Sequence, residues 1–242
     1  MTERLALFPL STVLYPGLVL PLHVFEERYR ALVGDLLQVP EDAPRRFGVV
    51  TLRAGREVAP SGPDGPLAKG AAAGLGPDPM ESLHPVGCVA EVATIQNVDD
   101  DHGGYNLVVT GTRRFELKDL DASGAYLVGE VEYLADSEGD DAAVLAGGVA
   151  EAFRTYQQRL AGVRQLSLAA LQEIPSEPAV LSYLVATATV LDLAEKQRLL
   201  AESDAAERLR QELALLRRET ALLAALPSLP AVDLAREEVY PN

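Results

Sequence analysis

At 242 residues, with 48% hydrophobic and 24% charged side chains, the chain has enough apolar material to bury the core of one large domain or two small ones. Its net charge of −15 is spread over both halves: residues 1–135 carry 11 basic and 19 acidic side chains, and residues 136–242 carry 10 and 17. Nucleic acid and anionic lipid are bound mainly through Lys and Arg, so an acidic field of this extent argues against both as partners. A lone cysteine, Cys88, leaves no internal disulfide and fits a reducing compartment. Glu3 and Arg4 stand directly before an apolar strand, so no export signal is readable, and the most apolar later run, 180–193, is too short and too interrupted to cross a bilayer. A soluble, cytoplasmic, globular protein is the expectation.

Residues 5–33 form the densest apolar unit. Leu5, Leu7 and Pro9 alternate with Ala6, Phe8 and Leu10, which predicts a strand buried on both faces. Pro16-Gly17 predicts a turn, because proline presets φ at the first central position and glycine accepts positive φ at the next. A second strand resumes at Leu18, and Pro21, lacking an N–H, marks it as an edge or a strand end. From Phe25 the spacing becomes helical: Phe25, Tyr29, Leu32 and Leu36 face a core, and Glu26, Glu27, Arg30 and Asp35 face away.

Residues 46–53 predict a short buried strand. Over 59–85 periodicity disappears under dense proline and glycine, which predicts a flexible insertion. A hairpin follows, with strands over 86–95 and 105–117 joined by an Asp/Gly-rich tip, and a last strand covers 125–134. An acidic hinge at 136–141 leads into helices over 144–161, a short one over 165–173, a nearly all-apolar one over 179–194, and a last one that starts at the Asp204/Glu207 capping pair. Its Leu209, Leu213, Leu216 and Leu223 stripe suits packing either within the chain or against a second chain.

Three runs carry a family resemblance. Leu7-Phe8-Pro9-Leu10, Val13-Leu14-Tyr15-Pro16-Gly17 and Leu20-Pro21-Leu22-His23-Val24-Phe25-Glu26 with Arg28-Tyr29 closely resemble the opening of the Lon N-terminal domain, in the form of stand-alone bacterial and cereblon-type proteins. Tyr15 stands where Phe is usual and Glu27 where Pro is common. The strand from Gly87 and the Gly111-Thr112-Arg113-Arg114-Phe115 strand resemble the family's second signature, and Lys196 to Leu200 with Arg208-Leu209 resembles its C-terminal helices. The resemblance implies an α+β fold, with a β-rich, PUA-like pseudo-barrel lobe over 1–135 and a helical bundle lobe over 136–242. It further implies a non-catalytic module that binds a polypeptide or protein client, with an adaptor for a protease or chaperone as one such role.

The chemistry-bearing motifs agree with a non-enzyme. Gly65 to Gly70 has phosphate-loop spacing, but Ala71 and Ala72 stand where Lys and Ser/Thr are required. No nucleophile elbow or Ser-Lys pair occurs, and Cys88 lies mid-strand as a buried thiol would. His23, His84 and His102 share no metal-ligand spacing, and the Asn97, Asp99, Asp101 alternation lacks the glycine and glutamate of a calcium loop. Neither a cofactor nor a metal is expected. Partner-binding candidates are Tyr15, Pro16 and Gly17, as an aromatic turn, with Arg28, Arg113 and Arg114. For the arginines, a structural brace to Glu26 or Glu27 is the preferred reading, and Phe25, Tyr29 and Phe115 read as core. The alternative function is a small-molecule sensor that uses a cleft between the two lobes.

Overall fold

In the computed structural model, which describes residues 2–40, 42–53, 70–98, 104–164 and 174–225, six strands and five helices form a mixed α+β fold. Their order is β1 (Thr2–Leu10), β2 (Val19–Val24), α1 (Glu27–Gln38), β3 (Arg46–Thr51), β4 (Val86–Val98), β5 (Gly104–Asp121), β6 (Val128–Tyr133), α2 (Ala142–Arg164), α3 (Pro178–Ala188), α4 (Leu193–Ala201) and α5 (Ala205–Ala225). The expected helix over 165–173, the hairpin tip with Asp99, Asp101 and His102, and the chain beyond Ala225 lie outside the described residues.

The sheet order is β2-β5-β4-β3-β1-β6, and β6 also pairs with β5. That extra pairing closes a ring of five strands, β5-β4-β3-β1-β6, and leaves β2 attached, among the described residues, to β5 alone. Closure is possible because β5 spans 18 residues: its first half pairs with β2, its last part with β6, and β4 lies along its other side. Bulges in β4–β5 near Val89 and Ala93 and in β5–β6 at Lys118 bend the sheet round.

Alternation along β1 explains why it is apolar on both faces. Phe8 and Leu10 pack under α1 with Tyr29, Leu32, Val33, Phe47 and Val109, whereas Leu5 and Leu7 pack with Phe115, Leu117 and Val131. Phe115 fits because Gly87 has no side chain: a Cβ there would stand 2.5 Å from the Phe115 ring. The Pro16-Gly17 turn forms as expected, with Leu18 N–H donating to the Tyr15 carbonyl at 3.3 Å and Gly17 at φ +79°.

Four expectations are revised. First, α1 begins at Glu27 with Glu26 as its N-cap, so Phe25 precedes the helix and is 52% exposed, not core. Second, the part of 59–85 that is described, 70–85, packs into the protein: Ala71, Leu75 and Leu83 are buried beside Phe115 and Leu7, and Leu52 bridges to Leu83. Third, the apolar run over 179–194 is divided. It ends as α3 at Ala188, and Asp192 starts α4 with a capping box, its carboxylate accepting from Glu195 N–H at 2.7 Å. Fourth, the acidic stretch 136–141 is fastened to the start of α5, where Ala205 N–H donates to the Ser137 carbonyl at 2.9 Å and Ser137 N–H donates to the Ser203 carbonyl at 3.0 Å.

Asp204 caps α5 as expected, accepting from Glu207 N–H at 2.9 Å. The leucine stripe of α5 turns inward: Leu209 and Leu216 are buried against Val149, Phe153 and Tyr156 of α2 and Leu181 and Val185 of α3. The stripe therefore packs within the chain.

Candidate functional site

The arginines and Tyr15 mostly bind the protein to itself. Arg114 is fully buried on β5. Its Nε donates to Asp136 Oδ1 at 2.9 Å, Nη1 to the carbonyls of Leu200 and Ala201 at 3.0 and 3.3 Å, and Nη2 to the Ala135 carbonyl at 3.1 Å. The barrel, the 135–136 segment and the end of α4 are thus joined by one planar fork. Tyr15 is 1% exposed; its hydroxyl donates to the Lys196 carbonyl at 2.8 Å and its ring lies 5.8 Å from Tyr183. Both side chains are buried and engaged within the protein; for Arg114 this is the structural role the sequence reading preferred, with Asp136 as partner in place of Glu26 or Glu27. Arg28 pairs with Glu26 at 2.8 Å and donates to the Ala71 and Ala73 carbonyls at 3.2 and 2.8 Å, so it holds 71–73 against α1. Arg113 is exposed and lies over the Tyr133 ring, with 4.3 Å from its guanidinium carbon to the ring centroid.

The expected cleft between barrel and helices is a packed core. Val13, Tyr15 and Val86 meet Tyr183, Ala186, Leu199 and Leu200 there. A second polar group lies deeper: buried Arg208 donates from Nε to Ser182 Oγ at 2.6 Å, Ser182 donates to Glu212 Oε1 at 2.8 Å, and the guanidinium carbon of Arg208 stands 4.1 Å from the Tyr183 centroid. Burial holds the Glu212 carboxyl well above the usual carboxylate range, against the opposing effects of Ser182 and Arg208. Cys88 is buried and its thiol is pushed up to about 12 by burial, which makes it a poor nucleophile. Among the described residues no three His, Cys, Asp or Glu side chains gather in a metal-holding group, and no helix is long and apolar enough to cross a membrane.

The surface around β2 is open and apolar. Val19 is 63% exposed, Phe25 52% and Val108 37%, and all three belong to or adjoin the β2–β5 pair. Pro16 and Gly17 lead into this strand, Gly17 exposed, so two of the expected contact residues border it. His23 Nδ1 lies 2.8 Å from Asn106 Oδ1 across the pair, and the His23 and Phe25 rings are 5.9 Å apart. Where β2 runs into α1, a small open cleft of about 80 Å³ lies between Phe8, Pro9, Leu10, Phe25 and Tyr29, with His23, Val24 and Glu26 also in its lining. Sequence reasoning missed Phe25 because its spacing to Tyr29 fits a helix; the paired glutamates 26 and 27, suited to a first helical turn, were the signal that the helix starts after it.

A closed five-stranded ring with an attached edge strand and helices over it defines the class to which comparisons then give a family. Residues 4–218 match the model of the ATP-dependent protease La (LON) substrate-binding domain, and the chain belongs to that family. It is 29% identical over 223 residues to a Lon protease of Anaeromyxobacter dehalogenans and 27% identical over 225 residues to Lon protease 2 of Myxococcus xanthus, alignments that cover 90% and 91% of this chain. The chain spans about 24% of the length of each of those relatives. The fold resembles the N-terminal domain of Mycobacterium avium complex Lon protease, with a TM-score of 0.59, 21% identity, and coverage of 90% of this chain and 98% of that one. It also resembles a Lon N-terminal domain protein from Xanthomonas campestris, with a TM-score of 0.54, 23% identity, and coverage of 93% and 99%. The chain thus corresponds to the substrate-binding part of Lon and not to the protease active site.

Proposed function

We propose that this chain is a non-catalytic polypeptide-binding module that takes up clients at the β2 surface and acts as an adaptor, presenting them to a separate cytoplasmic protease or chaperone. The observation that carries this reading is the exposure of Val19, Phe25 and Val108 together on a chain of the Lon substrate-binding family. Unfolded clients expose apolar side chains, and an exposed apolar patch lowers its free energy by covering them at roughly 25 cal/mol per Å² removed from water. Pro16 and Gly17 belong to this surface as its turn; Arg113 lies away from it on the far part of β5 and is assigned no contact.

The test is a fluorescence-anisotropy titration of a labelled, permanently unfolded polypeptide, with a folded protein of similar size as control. Saturable binding of the unfolded chain alone, weakened about tenfold by Phe25→Ser with an unchanged melting temperature, is expected from losing one exposed aromatic contact. Absence of binding into the high micromolar range overturns the reading.

A further inference from the structure

The backbone of β2 carries more information than its side chains. Leu18 accepts from Gly111 N–H at 2.8 Å, and the antiparallel register then runs Val19 to Thr110, Leu20 to Val109, Pro21 to Val108, Leu22 to Leu107 and His23 to Asn106. Backbone groups alternate in such a ladder, so residues in step with Leu18, namely Leu20, Leu22 and Val24, point theirs at β5. Val19, Pro21 and His23 point theirs away, toward the side where β2 has no neighbouring strand among the described residues. Pro21 therefore sits where its missing N–H costs β5 nothing, and the open edge offers two N–H groups and three carbonyls.

Edges left open are normally guarded by charge, Lys above all. The chain has 57 charged side chains and β2 has none, although Val19 is 63% exposed. Pro21 is the remaining guard, and it selects among occupants. A second copy of β2 paired antiparallel about Pro21 would set proline against proline and lose the central bonds of the ladder. A foreign strand with an N–H at every residue loses one. Charge also selects, since a molecule of net −15 repels acidic segments and attracts basic ones.

Resting on the polypeptide-binding reading above, we propose that the free edge of β2 takes an extended client segment as an added strand. The segment is apolar at alternate positions and flanked by Lys or Arg, and one aliphatic side chain seats in the cleft between Phe8, Phe25 and Tyr29. The backbone ladder supplies affinity for many sequences, and the cleft and the acidic surroundings choose among them.

Short labelled peptides of alternating Val and Leu with Lys flanks, titrated against the full chain, test this. One series carries backbone N-methyl groups at odd positions and another at even positions. Strand addition predicts that one series binds about tenfold or more weaker and the other within about twofold of the parent, because only alternate N–H groups face β2. Amide exchange at Val19 and His23 slows on binding while Leu20 and Leu22 are unchanged. His23→Pro removes an outward N–H together with the side-chain contact to Asn106, whereas His23→Ala loses the same contact but keeps the N–H; strand addition predicts that the proline variant binds several-fold weaker than the alanine variant, and equal binding of the two counts against it. Equal binding of both methylated series, with no protection of Val19 and His23, overturns strand addition while leaving polypeptide binding intact. If neither these peptides nor the unfolded polypeptide bind, both readings fall. Asp-flanked peptides that bind as well as Lys-flanked ones overturn the charge selection.

Discussion

Replacing Arg114 with Met tests whether the barrel and the helices are held by one buried guanidinium. The variant keeps the aliphatic stem but removes an ion pair to Asp136 at 2.7 Å and hydrogen bonds to the Ala135, Leu200 and Ala201 carbonyls. Asp136 is 41% exposed and rehydrates, so its share of the loss is small. The carbonyls lose a charged donor, at about 1 kcal/mol each, and the total comes to about 3–4 kcal/mol. For a chain of this length that lowers the melting temperature by about 10 °C. Arg114→Lys keeps the charge but not the fork, and is expected to cost about 2 kcal/mol; Asp136→Asn is expected to cost about 1 kcal/mol. Urea unfolding followed by circular dichroism measures all three. An Arg114→Met loss under about 1 kcal/mol, or an Asp136→Asn loss equal to it, would refute the view that the carbonyl bonds are the main tie.

Other expectations follow from single residues. Because burial raises the Glu212 carboxyl, the folded protein holds a proton there that the unfolded chain has released; that contribution is fully present below the ordinary carboxylate range and is lost as pH rises toward the folded-state value. Glu212→Gln should flatten this part of the stability–pH profile and equal or exceed the parent near pH 8; a profile with an unchanged slope would exclude Glu212 as its source. Native Cys88 should resist thiol reagents at pH 8 and react fully in denaturant, as measured by mass spectrometry. Gly111→Ala drives a Cβ into the Tyr15 carbonyl and should destabilise by about 2 kcal/mol or more, whereas the same change at Gly34, with open space around it, should be neutral or slightly stabilising.

Local signals in the sequence were reliable wherever the physics is local. The Pro16-Gly17 turn, the edge character of β2 from Pro21, and the Asp204 cap of α5 each depend on neighbours within a few residues. The division of the 179–194 run was also legible, in the Asp192 and Glu195 pair, but the continuous apolarity masked it. Residues 70–85 misled for a different reason: their buried Ala71, Leu75 and Leu83 are irregularly spaced among turns and so show neither helical nor strand periodicity. Arg114 and Tyr15 could be recognised as special residues, but their partners lie 86 and 181 positions away in sequence, and no pattern along the chain encodes such a distance.

The internal use of arginine bears on what the surface can recognise. Arg28, Arg114 and Arg208 each direct donors at backbone carbonyls of a separate segment: Ala71 and Ala73, then Ala135, Leu200 and Ala201, then Glu202. Cations spent in this way join parts that apolar contacts alone would leave loosely registered, and they are withdrawn from any outward role. The surface is left with an excess of carboxylates and, at β2, a strip without charge. Recognition there rests on the two least sequence-specific interactions a protein can use, apolar contact and backbone hydrogen bonding. Such a surface distinguishes clients by whether a segment is extended and uncovered, which is a property of the unfolded state shared by many sequences and lacking in their folded forms.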